Sequence, residues 1–116
     1  MILPRTDEEF QAMLVPALQT VCPLVREGVY TGDDVSCYVT FSTFRRGALF
    51  ANGYPTASVW RCIVSIWVKK GVDAQPMREA MYTAIRSVGG TYPTQEIATE
   101  DDWKQYVYDF QCGGYV

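Results

Sequence analysis

Residues 58–70 read SVWRCIVSIWVKK. Side chains on a β-strand alternate between its two faces. Trp60, Cys62, Val64, Ile66 and Val68 therefore line one face without a polar interruption. Val59, Arg61, Ile63, Ser65 and Trp67 line the other, which mixes apolar and polar groups. Such a segment is the central strand of a sheet that is fully covered on one side. Its mixed face is covered in part, or by a neighbouring molecule.

Upstream, VSCYVTFSTF (35–44) is rich in β-branched and aromatic residues and reads as a second strand. Val35, Cys37, Val39 and Phe41 share one face, with Tyr38 and Phe44 on the other. Between these strands runs a polar bridge, Arg45 to Ser58, punctuated by Gly47, Gly53 and Pro55. Those residues predict a long strand-joining arm in loop conformation. Phe50 and Tyr54 lie on it beside Arg45 and Arg46, and exposed aromatics next to arginines suit a protein interface. Val59, Ile63 and Trp67, on the mixed face of the central strand, form a second candidate contact surface.

The flanking segments supply the cover. Thr6 followed by Glu9 is a capping box, and Asp7, Glu8 and Glu9 suit the positive end of a helix dipole. Phe10, Met13, Leu14, Ala17, Leu18 and Val21 follow helical spacing. Pro16 predicts a kink there or a helix in two pieces, and Pro23 ends it. A short strand is expected around Val29 and Tyr30, then a turn at Gly32-Asp33-Asp34. Past the central strand, Asp73 and Pro76 open a second helix. Its stripe of Met77, Ala80, Met81, Ala84, Ile85 and Val88 is core surface, expected against Trp60, Val64 and Ile66. Gly89-Gly90 stops it. A hairpin closes the series: a strand near Gln95 to Thr99, a turn at Glu100-Asp101-Asp102, and a strand from Trp103 to Cys112. The ending GGYV reads as a frayed tail. The resulting fold class is α+β. A mostly antiparallel, mixed sheet carries an N-terminal and a mid-chain helix and a long β-hairpin arm, in one domain over residues 1–116.

Composition narrows the function classes. The chain has 48% hydrophobic residues and a net charge of -3, which fits a folded domain and lacks the basic face of a nucleic-acid binder. No apolar run reaches membrane-spanning length, and MILPRTDEEF has no basic region followed by a long apolar core, so no membrane and no export signal are expected. Cys22, Cys37, Cys62 and Cys112 are scattered and are expected to be reduced; a Cys37–Cys62 bridge is the alternative if those strands pair. Histidine is absent, which removes the commonest general base and metal ligand. No phosphate-binding, dinucleotide or nucleophile-elbow motif occurs, and Asp33-Asp34 and Asp101-Asp102 sit at turn positions. No enzyme activity and no cofactor are expected.

Taken together, the N-terminal helix, VSCYVTFSTF, ANGYPTASVWRCIVSIWVKK, DAQPMREAMYTAI and SVGGTYPTQEIATEDDWKQYVYDFQC form a series of elements with a characteristic order and texture. That series resembles the small tail-terminator, or tail-completion, proteins of long-tailed bacteriophages and prophages, from Phe10 to Phe110. The stretch Ala51-Asn52-Gly53 stands at the loop where that family has Ala-(Asp/Asn)-Gly. Pro16 and the cysteine-bearing strands depart from the family's pattern. The resemblance implies self-assembly into a ring, commonly a hexamer. The ring caps the head-proximal end of the tail tube, stops its polymerisation and docks on a head-completion or connector protein. The implied partners are further copies of the chain, the major tail tube protein and the connector. DNA passes through the lumen without being read. The implied location is the head–tail junction of the virion, after assembly in the host cytoplasm. Asn52 joins Arg45, Arg46, Phe50, Tyr54, Val59, Ile63 and Trp67 as an interface candidate on this basis. The alternatives are another head–tail joining protein and a small monomeric module that binds a peptide or ligand.

Overall fold

The computed structural model describes residue 4 and residues 6–29, 35–51 and 54–115, with backbone alone for 48–51, 54–56 and 114–115. Among them the elements follow the order α1 (Asp7–Gln19), β1 (Val25–Glu27), β2 (Cys37–Ala51), β3 (Tyr54–Lys69), α2 (Gln75–Ser87), β4 (Thr94–Glu100) and β5 (Trp103–Tyr115). The five strands form one sheet in the order β1-β2-β3-β5-β4. β1 pairs with β2 in parallel, and every other pairing is antiparallel. This is the α+β fold expected, with the strand of residues 58–70 at the centre of the sheet.

The alternation in β3 decides where the core lies. Trp60, Cys62, Val64, Ile66 and Val68 are all at most 1% exposed. Their register partners carry the same face outward along the sheet: Val39 and Phe41 on β2, and Tyr106, Tyr108, Phe110 and Cys112 on β5. Phe10, Leu14 and Leu18 of α1 and Met81, Ala84 and Ile85 of α2 join them in one buried cluster. Met81 and Ile85 belong to the core as the helical stripe required.

Each helix end is satisfied locally. The Glu9 amide donates to Thr6 Oγ1 at 3.1 Å, the main half of the capping box. α1 is tied to the sheet where Trp60 Nε1 donates to Asp7 Oδ1 at 2.7 Å and Phe10 stacks on the Trp60 ring at 5.0 Å. Pro16 does not divide α1, which runs as one element. Pro16 and Ala12, the residue four positions back, are both exposed, so the proline ring stands on the solvent side of the helix and not in the core. At the start of α2 the Gln75 amide donates to Asp73 Oδ1 at 3.1 Å, one residue ahead of the geometric cap Ala74. Its other end is a Schellman turn. The Gly89 and Gly90 amides donate back to Arg86 and Ile85, with Gly89 at φ +74.

Three local expectations are corrected. The bridge Arg45–Ser58 is not a loop: wherever it is described it is β-ladder, paired from Arg45↔Trp60 through Ala51↔Tyr54. The ladder is irregular only around Leu49, which lets the ribbon bend. The first strand lies at Val25–Glu27, and Val29 is 89% exposed. Tyr30 and the turn at Gly32-Asp33-Asp34 fall outside the described residues. GGYV is not frayed over its described part, since Gly113, Gly114 and Tyr115 pair with Val59, Ser58 and Ala57.

Candidate interaction surface

Strand lengths shape the molecule. β1 ends opposite Phe41, and β4 begins opposite Asp109, in the row of Ile63 and Ser42. Among the described residues only β2, β3 and β5 continue beyond that row, and past the Ala57–Tyr115 pair β2 and β3 go on as a two-stranded ribbon. The chain therefore measures 54 × 24 × 22 Å. A strand of β3's length spans about 50 Å at the usual rise per residue, so this one hairpin sets the long axis.

Both helices pack on the Trp60 face, and the opposite face carries no element among the described residues. Register fixes its composition. Tyr38, Trp67 and Gln105 form one row, followed by Thr40, Ser65 and Val107, then Ser42, Ile63 and Asp109, then Phe44, Arg61 and Gln111, then Arg46, Val59 and Gly113. The end nearest β1 seals itself. Tyr38 stacks on Trp67 at 5.8 Å and meets the edge of Trp103 at 5.1 Å. Trp67 Nε1 donates to Thr40 Oγ1 at 3.0 Å, and Gln105 Nε2 donates to Ser65 Oγ at 3.0 Å. Tyr38, Thr40 and Ser65 end up buried without any covering helix.

Toward the ribbon the face opens. Phe44 is 56% exposed. Arg61 makes a two-pronged pair with Asp109, at 3.2 Å from Nε and 2.6 Å from Nη2, and this carboxylate raises the already high pKa of the guanidinium. Arg46 projects beside them and is exposed. An open depression of about 590 Å³ lies here, bordered by Phe44, Arg46, Arg61, Tyr92, Thr94 and Asp109.

The two arginines expected to act together are separated by the strand's alternation. Arg45 lies on the helix-bearing face, where its Nε donates to Ser58 Oγ at 3.0 Å and its guanidinium rests 5.1 Å from the Trp60 ring centre. Arg46 lies on the open face. Val59, Ile63 and Trp67 are half-buried and do share the open face. Phe50 and Tyr54 are placed by backbone near the ribbon tip, paired with Pro55 and Ala51, while Asn52 falls outside the described residues. The Arg61–Asp109 pair, Gln105 and the exposed Tyr92 were not singled out in the sequence. The period of 2 in β5, Gln105, Val107, Asp109, Gln111, carried the signal for the first two.

Among the described residues no group of three or more His, Cys, Asp or Glu side chains is placed to hold a metal ion. No described helix is long and apolar enough to cross a membrane. Comparison with protein-family models and with curated proteins returns no match for this chain.

Proposed function

We propose that the chain is a structural phage or prophage protein that assembles into a ring, commonly of six copies, on the head-proximal end of a tail tube. The ring stops tube polymerisation and docks the tail to the head. One observation carries this reading: a β2–β3 ladder outruns the rest of the sheet and presents an uncovered face at its base. A ring needs two different, complementary surfaces on each subunit. The projecting ribbon is suited to be one, and the open face around Phe44, Arg46, Val59 and Ile63 to be the other. Backbone pairing stiffens the ribbon, which lowers the entropy lost on docking compared with a loop of equal length. The resemblance in element order then suggests the tail terminator among ring-forming proteins. Another head–tail joining protein would use the same surfaces.

The depression beside Phe44, Arg46 and Tyr92 favours a second reading, a monomeric module that binds a ligand or peptide. The decisive experiment deletes the gene from its phage or prophage and images the tails. Tails that overgrow a fixed length and lack heads support the terminator. Tails of normal length that lack heads point to a joining protein. Intact virions exclude both.

A further inference from the structure

The cysteines look scattered along the chain, yet the fold brings two of them together. Cys22 follows α1 in the turn before Pro23, and Cys37 is the first residue of β2. Their sulfurs stand 3.0 Å apart. That is inside ordinary sulfur–sulfur contact and about 1 Å from a disulfide bond. Both are free thiols. The two differ in access: Cys22 is 2% exposed, whereas Cys37 is half-buried with a path to solvent. Cys62 and Cys112 form a second neighbouring pair, but both are buried in the core.

We propose that Cys22 and Cys37 form a dithiol modification site, which a small-molecule disulfide such as oxidised glutathione closes into an intramolecular disulfide. The inference is independent of the ring reading. Cys37 enters the reaction. Its thiolate attacks one sulfur of the oxidant, forming a mixed disulfide and expelling one glutathione thiolate. Cys22 then attacks the Cys37 sulfur, the mixed bond breaks, and a second glutathione thiolate leaves. The two cysteines lose two electrons and two protons; the oxidant gains both electrons, and the departing thiolates take up the protons. Burial and the hydrogen bond to Cys37 push the Cys22 thiol up to about 11, so little of it is thiolate and it does not begin the reaction; its 3.0 Å distance from the Cys37 sulfur is what makes the second, intramolecular step accessible. Closure staples the end of α1 to the start of β2, across the connection that carries β1.

Trypsin separates the four cysteines onto peptides 6–26, 27–45, 62–69 and 105–116, so the assignment is direct. The reduced full-length chain is incubated with oxidised glutathione, alkylated without reduction and mapped by mass spectrometry. The expected product is lighter by two hydrogens and contains peptide 6–26 linked to 27–45. Cys22→Ser stops with glutathione on peptide 27–45. Cys37→Ser takes up no glutathione and forms no bridge. A wild-type product in which the Cys37 adduct persists overturns the proposal. So does a link between 62–69 and 105–116, or four thiols that remain free.

Discussion

Gly90 offers a stringent test of how α2 is seated. A methyl group at this position would stand 2.7 Å from Ile85 Cγ2, 2.8 Å from Phe110 Cδ2 and 3.0 Å from the Ile85 carbonyl oxygen. Comfortable carbon–carbon contact lies at about 3.5–4.0 Å, so Gly90→Ala creates two overlaps of roughly 1 Å. Neither neighbour has room to give. Ile85 is 3% exposed and Phe110 2%, and the Ile85 carbonyl is fixed by the Gly90 amide at 2.9 Å. Overpacking of this kind costs about 1–3 kcal/mol. The narrower unfolded ensemble of alanine returns about 0.4–1 kcal/mol, leaving a net loss centred on about 1.3 kcal/mol. Gly113→Ala is the control, because nothing lies within 4 Å of a methyl group there. It should fall within about 0.5 kcal/mol of the parent. Urea titrations at one protein concentration measure both, with a lowered midpoint and an unchanged slope expected for Gly90→Ala. A Gly90→Ala variant as stable as the parent would show that α2 does not end against β5 in this way.

Two further outcomes follow from the core. Ile85→Ala, which removes a buried side chain facing the sheet, should cost about 2–5 kcal/mol by the same titration; a cost under about 0.5 kcal/mol would put α2 on the wrong face. Stability should also fall at alkaline pH. Burial raises the Cys22 thiol from 9.0 to about 11 and the Tyr108 phenol above its ordinary 10.0. The unfolded chain then loses these protons first. The stabilisation is whole below pH 9.0 and is lost as the pH climbs to about 11. A urea midpoint that stays flat between about pH 8 and 11 would contradict this.

The central layer was legible because its signals are local. The apolar face of β3 and the stripe from Met77 to Val88 each repeat at a single period; the β3 face is buried, and the stripe is buried from Met81 on, with Met77 and Ala80 packed against the core. The hairpin arm was legible as an arm, but the pairing along it was not, because Gly47 and Pro55 weigh toward a loop in any local reading. Pairing overrides them. Pro55 lies past Ala57–Tyr115, the last β3–β5 pair, where β3 has become an edge strand that tolerates proline. β1 was displaced for a related reason. Val29 and Tyr30 have the greater strand propensity, but Val25–Glu27 can be held in parallel register by β2, and that tertiary pairing decides. For the interaction surface, the open face followed from the mixed side of β3. The separation of Arg45 from Arg46 could be read only once both were known to lie in a strand.

The most direct test of the proposed assembly is the mass of the intact chain in solution, measured by light scattering over a range of concentrations. A ring of six copies would run near six times the 13.1 kDa of one chain. A variant with Ala48 to Tyr54 replaced by a short Gly-Ser turn should keep the circular dichroism of the folded parent and lose the assembly, since the described backbone of this segment pairs within the β2–β3 hairpin. The account predicts a large, concentration-dependent assembly for the parent and a single chain for the shortened variant. A parent that stays at 13.1 kDa at every concentration, or a variant that assembles as the parent does, would contradict it.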